Sequence, residues 1–116
     1  MPNSSASLSA LRAFATQLQV TANNIANFRT PGYKAQRVTM TTSPSGGVSA
    51  TVSTDLTPGI TMPQVEGSPD GEQEMSNVDL AREMVNLILS KTSYQANARA
   101  LRSVEDTTGK LLDIIR

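Results

Sequence analysis

The sequence predicts a mainly α-helical fold, in which two long terminal helices pair as an antiparallel coiled coil with a short β-hairpin and an extended connector between them. Three observations predict this class. Apolar residues recur at helical spacing in the first 27 residues and again from residue 76 onward. The chain between these segments is poor in core-forming residues, and the 116 residues include only two Phe, two Tyr and no Trp. The terminal segments must therefore bury their apolar faces against each other or against other chains.

The first helix is expected from Ser4 or Ser5 to about Asn27. Its leucine, isoleucine and alanine residues alternate at spacings of three and four, which makes the narrow stripe of a coiled-coil seam. Phe14 and Val20 lie off this stripe, so a second face is expected to make contacts as well. The stripe fits a helix pair within one chain and contacts between copies, and both readings stay open. Its members are Leu8, Leu11, Ala15, Leu18, Ala22 and Ile25.

A helix stop and a turn are predicted directly after this helix. Three asparagines crowd the stop, and asparagine tolerates a helix C-terminus because its amide binds nearby backbone groups. In the tetrapeptide that follows, proline fixes the first central φ and glycine supplies the positive φ of a type II turn. The asparagines are Asn23, Asn24 and Asn27, and the turn is Thr30, Pro31, Gly32 and Tyr33.

The middle of the chain, residues 37–75, is predicted to hold one β-hairpin and a connector. Apolar and polar residues alternate in 38–42 and in 48–52, and Pro44, Gly46 and Gly47 lie between the two runs. Residues 55–75 contain proline, glycine and acids without periodicity, which predicts an extended connector. The chain therefore divides into residues 1–36, 37–75 and 76–116, which together form one domain.

The second helix is expected to begin at a capping box formed by Ser76 and Asp79. One apolar stripe runs along it, and a neighbouring stripe that includes Val85 and Ile88 widens the apolar surface. The helix would be about 60 Å long against about 35 Å for the first helix. Because the first helix is too short to cover it, the excess is expected to meet other subunits. The packing residues of the main stripe are Leu80, Met84, Leu87, Tyr94, Leu101, Leu112 and Ile115.

The formal net charge is zero, but the charges form blocks. Residues 1–37 carry four bases and no acid, whereas residues 55–79 carry six acids and no base. Such blocks fit a solvated surface, since exposed ion pairs contribute little, and they also fit head-to-tail complementarity between copies. No basic stripe with interleaved aromatic residues is present, so no nucleic-acid partner is expected.

The composition argues against catalysis. The chain has no Cys and no His, which excludes thiol nucleophiles and a Ser-His-Asp triad and removes the commonest metal ligand. The acidic run Asp70-Gly71-Glu72 lacks the regular oxygen-ligand spacing of a calcium loop. We therefore expect no enzyme activity, no cofactor and no metal.

Both ends resemble one known family. The run Leu18 to Asn27 (LQVTANNIAN), followed by Thr30 to Lys34 (TPGYK), is similar to the N-terminal signature of bacterial flagellar rod and hook proteins. The run Ser76 to Ile88 (SNVDLAREMVNLI), with YQANA at 94–98, resembles the C-terminal signature of the same family. Phe28-Arg29 and Thr107-Thr108-Gly109 depart from the usual pattern.

The resemblance implies a structural subunit of the flagellar basal-body rod. Its terminal helices would pair and stack with those of other copies and of other axial proteins, without membrane insertion. It would leave the cell unfolded through the flagellar type III export apparatus, without signal-peptide cleavage, and reside in the periplasm-spanning rod. The short middle segment is closest to the small proximal-rod proteins. The alternative is a small cytosolic helical-hairpin binding module or export chaperone that copies the rod helices.

Overall fold

A computed structural model describes residues 2–63 and 72–115, with side chains from 5 to 63 and from 73 to 115. Two helices flank four strands, and the molecule is elongated, with principal extents of 79 × 24 × 17 Å. Asp70 and Gly71, in the tract rejected above as a calcium loop, lie outside the described residues. The elements in chain order are α1 (Pro2–Ala26), β1 (Gln36–Thr42), β2 (Val48–Thr54), β3 (Thr61–Pro63), β4 (Glu72–Glu74) and α2 (Leu80–Ile115).

The two helices lie side by side and run in opposite directions. No other pair of elements makes a more extensive contact. Tyr33, after α1, accepts a backbone hydrogen bond of 3.3 Å from Asn77, before α2, so α1 ends where α2 begins. α1 has 25 residues and α2 has 36, which gives lengths of about 38 and 54 Å. The far end of α2 therefore extends beyond α1, as the sequence predicts.

The predicted hairpin is confirmed. β1 and β2 pair antiparallel from Gln36 opposite Thr54 to Thr42 opposite Val48. Gly46 and Gly47 have φ values of +88° and +92°, which glycine adopts without a steric penalty and which let the chain reverse. The hairpin lies along α1, with the β1–β2 turn near the first turns of the helix and the open end near its C-terminus. A 3.0 Å hydrogen bond from the Val48 amide to Ser9 Oγ fixes the turn end.

The connector contains a second small sheet, so the prediction of an extended connector was incomplete. β3 and β4 pair antiparallel, with Thr61 opposite Glu74 and Pro63 opposite Glu72. A backbone bond of 2.8 Å from Met75 to Ile60 continues this ladder toward α2. Strands of three residues are too short to show an alternating pattern, which explains why the sequence did not reveal them.

α2 begins at Leu80, with its capping residue three positions later than predicted, and the capping box is wrong in its partners. Asp79 is the capping residue, because its Oδ1 accepts a 3.3 Å bond from the Arg82 amide. Ser76 Oγ instead accepts a 3.1 Å bond from the amide of Val78, which makes a local turn. The chain before Leu80 stays non-helical because Asn77 binds the connector, as described below.

The core is built from small and polar residues. The buried apolar residues among those described are Ala10, Ala13, Val20 and Ala35. The largest fully buried side chains are Glu83, Asn24 and Thr21. Val20, predicted to lie on a second contact face, is thus buried. The predicted leucine stripe is not the most buried face of α1, since Leu8 is 43% exposed and the other leucines are only half-buried.

Candidate functional site: the helix junction and the exposed helix faces

Asn24, on the last turns of α1, holds the start of β1. Its amide Nδ2 donates a 2.8 Å bond to the carbonyl of Gln36, and its Oδ1 accepts a 2.9 Å bond from the amide of the same residue. The hydroxyl of Tyr33 donates a further 3.1 Å bond to Oδ1. Asn24 is 1% exposed, so these bonds satisfy an amide that water does not reach.

Asn77, just before α2, binds the backbone of two distant segments. Its Nδ2 donates 2.8 Å bonds to the carbonyls of Asp55 and Thr57, and its Oδ1 accepts a 2.6 Å bond from the amide of Ala35. One asparagine from each end of the chain therefore fixes the segment 33–36 between them. We call Asn24, Tyr33, Ala35, Gln36 and Asn77 the helix junction.

The predicted type II turn is confirmed at the helix junction. Gly32 has a φ of +74°, and the amide of Tyr33 donates a 3.2 Å bond to the carbonyl of Thr30. The Gly32 amide donates a 2.9 Å bond to the backbone carbonyl of Glu74, which ties the turn to β4. At the end of α1, the side-chain Nδ2 of Asn27 donates a 2.8 Å bond to the backbone carbonyl of Asn23. Pro31 occupies the first central position of the turn.

Two ion pairs join the basic and acidic blocks within one chain. Lys34 pairs with Glu74, and Arg37 Nη2 lies 3.1 Å from Asp55 Oδ2. Hydrogen bonds from Thr57, then the Arg37 side chain, lower the pKa of Asp55 from its usual 3.8 to about 2. Hydrogen bonds from Lys34 and from the Gly59 amide likewise lower the pKa of Glu74. Part of the charge complementarity is thus met inside the chain rather than between copies.

Glu83, on the first turns of α2, is a buried acid that the sequence analysis did not single out. It is 2% exposed, and its carboxylate takes part in no hydrogen bond or ion pair among the residues that the structure describes. Burial, and then the charge of Glu83, raise the pKa of Tyr33. The burial of Glu83 could not be predicted from the sequence, because an acid on the first turn of a helix ordinarily lies at the surface and interacts with the helix dipole.

The residues predicted to pack divide into half-buried and exposed positions. Leu11, Leu18 and Ile25 of α1 and Leu80, Leu87 and Leu101 of α2 are half-buried. Leu8, Met84, Tyr94, Leu112 and Ile115 are exposed. The only buried side chains described on α2 are Glu83 and Ser90, so this helix turns a largely polar stripe inward.

Further large apolar residues of α2 face outward beside the predicted ones. Val85, Ile88 and Leu89 are 54–65% exposed, and Ile114 is 79% exposed. Val85 and Ile88 belong to the second stripe predicted from the sequence, and Ile114 lies in the apolar excess at the end of the helix that was expected to meet other subunits, whereas Leu89 was not predicted. An outward apolar face of this size offers no catalytic or metal-binding groups and is suited to contact with another protein.

No alternative chemical site emerges from the described residues. They contain no group of three or more His, Cys, Asp or Glu side chains placed to hold a metal ion. None of the helices in the part of the chain that is described has the length and hydropathy to cross a membrane. A groove of about 460 Å³ lies beside the start of α2, between Arg37, Gly59, Ile60, Val78 and Arg82.

Comparison with known proteins gives matches at both ends. Residues 6–34 match the family described as flagella basal body rod protein, and residues 70–114 match the family described as flagellar basal body rod FlgEFG protein C-terminal. The flagellar hook proteins FlgE of Escherichia coli (strain K12) and of Salmonella typhimurium are each 36% identical over 45 residues.

The aligned 45 residues are 39% of this chain and 11% of each hook protein, so the chain spans about a tenth of the length of these relatives. Residues 35–69 lie outside both family matches. The two matched segments are the ones that meet at the helix junction, and they occur in the order that the resemblance of the motifs predicts. The chain therefore belongs to the family of bacterial flagellar rod and hook proteins, which are structural proteins of the flagellar axis.

Proposed function

We propose that this chain is a structural subunit of the flagellar basal-body rod that self-assembles through its terminal helices into the axial drive shaft. Its partners are other copies and other rod and hook proteins. The observation that carries the proposal is the distribution of side chains on α2. Glu83 and Ser90 are turned inward, while Val85, Ile88 and Leu89 are turned outward. A helix that serves only its own chain is expected to have the opposite distribution.

The outward apolar surface is large enough to drive association. Full burial of one leucine, isoleucine or valine side chain contributes about 1.5–3 kcal/mol. Nine large apolar residues of α2 are at least 38% exposed. Burying even part of this surface between copies would offset the entropy lost on association. The core of the single chain is small and polar and buries little apolar surface, so association would add burial that the single chain lacks.

Coiled-coil pairing of the terminal helices belongs to this proposal. Leu11, Leu18 and Ile25 are half-buried, and α1 packs along α2. Helices of neighbouring copies would cover the exposed half of this stripe together with Leu8. Leu80, Leu87 and Leu101 would be covered in the same way on α2.

The short middle of the chain supports a proposal for the position within the rod. Only the segment 35–69 separates the two family matches, and its described residues, 35–63, form one hairpin and one strand of a small sheet. We infer a small proximal-rod protein rather than a hook protein, with export through the flagellar type III apparatus and residence in the periplasm-spanning rod. Export without cleavage of a signal peptide is part of the same proposal.

The second candidate is a small helical-hairpin binding module or an export chaperone. It is favoured by the same outward face of α2, which could hold a single partner helix instead of many copies. The two candidates differ in location and in number of copies. A chaperone would stay in the cytosol, whereas a rod subunit would remain with the purified basal body.

Cell fractionation tests the proposal. The wild-type chain is restored to a strain that lacks it, and cytosol, periplasm and purified basal bodies are compared by quantitative immunoblotting. We expect the chain in the basal-body fraction, retained after washing as an established rod protein is. Recovery from the cytosol alone would contradict the rod assignment and favour the chaperone.

A further inference from the structure

Two exposed apolar surfaces lie at opposite ends of α2. The first, here called the connector patch, consists of Leu56, Ile60 and Met62, of which the first two are 77% exposed. It belongs to the segment that neither family match covers. The second, here called the α2 end cluster, consists of Leu111, Leu112, Ile114 and Ile115, which are 52–80% exposed.

The two surfaces cannot meet within one chain. The connector patch is held at the start of α2, because Asn77 binds the carbonyls at Asp55 and Thr57. The α2 end cluster begins about 31 residues farther along a continuous helix, which is roughly 46 Å. Any contact between them is therefore between different copies. With parallel helices the contact would repeat from copy to copy and build an open filament, whereas antiparallel helices would allow a closed two-fold dimer in which each copy contributes both surfaces.

The charges beside the two surfaces are complementary in one orientation. Asp79 and Arg82 are exposed at the start of α2 and take part in neither ion pair of the described residues. Lys110 and Asp113 are exposed beside the end cluster and are likewise outside both ion pairs. Lys110 and Asp113 are three residues apart on α2 and share one face. Asp79, the capping residue, lies on the same side as Arg82, whose amide it binds.

Parallel helices would therefore place Lys110 beside Asp79 and Asp113 beside Arg82. Antiparallel helices would place like charges together. The shape of the receiving end also fits, because the groove of about 460 Å³ beside Ile60 and Val78 is concave and can admit apolar side chains from a helix end. Charge sets the direction and register of such a contact, and apolar burial supplies most of its affinity.

We propose that the α2 end cluster of one copy docks on the connector patch and groove of the next copy, with the two α2 helices parallel and displaced by 31 residues. This inference rests on the proposed function, since it names one contact through which copies stack along the axis. It assigns a role to the connector, which lies largely outside the family signatures.

Chemical cross-linking between purified chains tests the contact. The chain has no Cys, so the introduced cysteines are the only thiols that a cross-linker can join. Ile60→Cys chains are mixed with Ile114→Cys chains and treated with a short bismaleimide. We expect a cross-linked dimer at about fivefold or greater yield over a mixture of Ile60→Cys with Gln19→Cys, an exposed position on α1. A chain carrying both Ile60→Cys and Ile114→Cys should give a ladder of linear oligomers.

Charge exchange supplies the second readout. Arg82→Glu in the Ile60→Cys chain should lower the cross-linking yield about fivefold, and Asp113→Arg in its partner should restore the yield. Restoration shows that both variants are folded. Equal yields for the Ile114→Cys and Gln19→Cys mixtures, or no restoration, would overturn the proposed contact. The rod assignment is decided separately, by the cellular location of the wild-type chain.

Discussion

Asn24 and Asn77 direct their side-chain amides at backbone groups rather than at other side chains. Asn24 satisfies both the amide and the carbonyl of Gln36, and Asn77 reaches the backbone of three residues in two segments. Buried backbone groups are costly when unpaired, so Asn24 fixes the start of β1, and Asn77 fixes loop segments that have no helix or sheet of their own. At this scale the helix junction is a set of satisfied backbone groups.

Replacing Asn24 with alanine should destabilise the fold far more than replacing its neighbour Asn23. Asn24→Ala leaves the Gln36 amide and carbonyl and the Tyr33 hydroxyl without their partner, which we expect to cost about 2–4 kcal/mol. Asn23 is exposed, so Asn23→Ala should change stability by less than about 0.5 kcal/mol. Urea unfolding followed by circular dichroism measures both. Equal losses in the two variants would show that Asn24 does not hold the junction.

The stability of the fold should fall in acid because of Asp55 and Glu74. The folded-state pKa of each carboxyl is lowered, for Asp55 to about 2 from 3.8, so the folded chain binds a proton less readily than the unfolded chain. This contribution is complete above the unfolded-state pKa values and is lost as the pH falls through the folded-state values. Melting temperatures between pH 6 and pH 2 should therefore drop below about pH 5.

Asp55→Asn is the control for this titration. It keeps an oxygen that can accept the hydrogen bond from the Thr57 amide, but it carries no charge for Arg37. The variant should be less stable than the wild type at pH 6 and should lose less stability on acidification. If both proteins lose the same stability between pH 6 and pH 2, Asp55 is not responsible for the effect.

Among the elements, the β1–β2 hairpin depends on α1 for its position. Ser9 Oγ donates to the carbonyl of Ala6 at 2.8 Å and accepts from the Val48 amide at 3.0 Å. Gly47 lies so close to Ser9 that a Cβ at this position would be 2.6 Å from Ser9 Oγ. A two-stranded hairpin is marginal by itself in water, so this contact is part of what keeps it folded.

Gly47→Ala should therefore destabilise the chain more than Gly46→Ala. Both glycines have positive φ, at +92° and +88°, so both variants carry a similar backbone strain of about 1–2 kcal/mol. Only at position 47 does the added methyl group collide with Ser9, because nothing lies within 4 Å of a Cβ at position 46. We expect a further loss of about 1–2 kcal/mol, measured by urea unfolding. Identical unfolding midpoints would indicate that the hairpin is not seated on α1.

The sequence predicted the elements better than it predicted their contacts. Both helices, the hairpin and the turn at Gly32 follow from local periodicity and turn chemistry. The partners of Asn77 could not be predicted from local patterns, because they lie 20–42 residues away along the chain. The short pair β3–β4 also has no local pattern.

The buried face of α1 shows a second limit of sequence reasoning. The leucine stripe of Leu8, Leu11 and Leu18 is the clearest periodic signal of the helix, yet Ala10, Ala13 and Val20 are the more buried residues. An apolar pattern reflects every surface that a helix covers, with other chains included. Under the proposed assembly, the stripe records contacts that one chain by itself does not make.

As a whole, the molecule is a thin rod, 79 Å long, with few buried apolar side chains and a long outward apolar face on α2. A chain of 116 residues that leaves this much apolar surface exposed is expected to associate. The elongated shape favours stacking along the long axis, because the exposed residues continue to the far end of α2. Shape and surface together are the basis of the structural role.

Incorporation of an Ile88→Asp variant into basal bodies tests the central claim most directly. Ile88 is 65% exposed, so the charge should leave the single chain folded but should be costly to bury between chains. Ser49→Asp adds the same charge at an exposed position on the hairpin and serves as the control. Each variant is produced in a strain lacking the native copy and is quantified in purified basal bodies. We predict that the Ser49→Asp chain is incorporated as the wild type is, and that the Ile88→Asp chain, although folded, is absent; normal incorporation of Ile88→Asp would contradict the account.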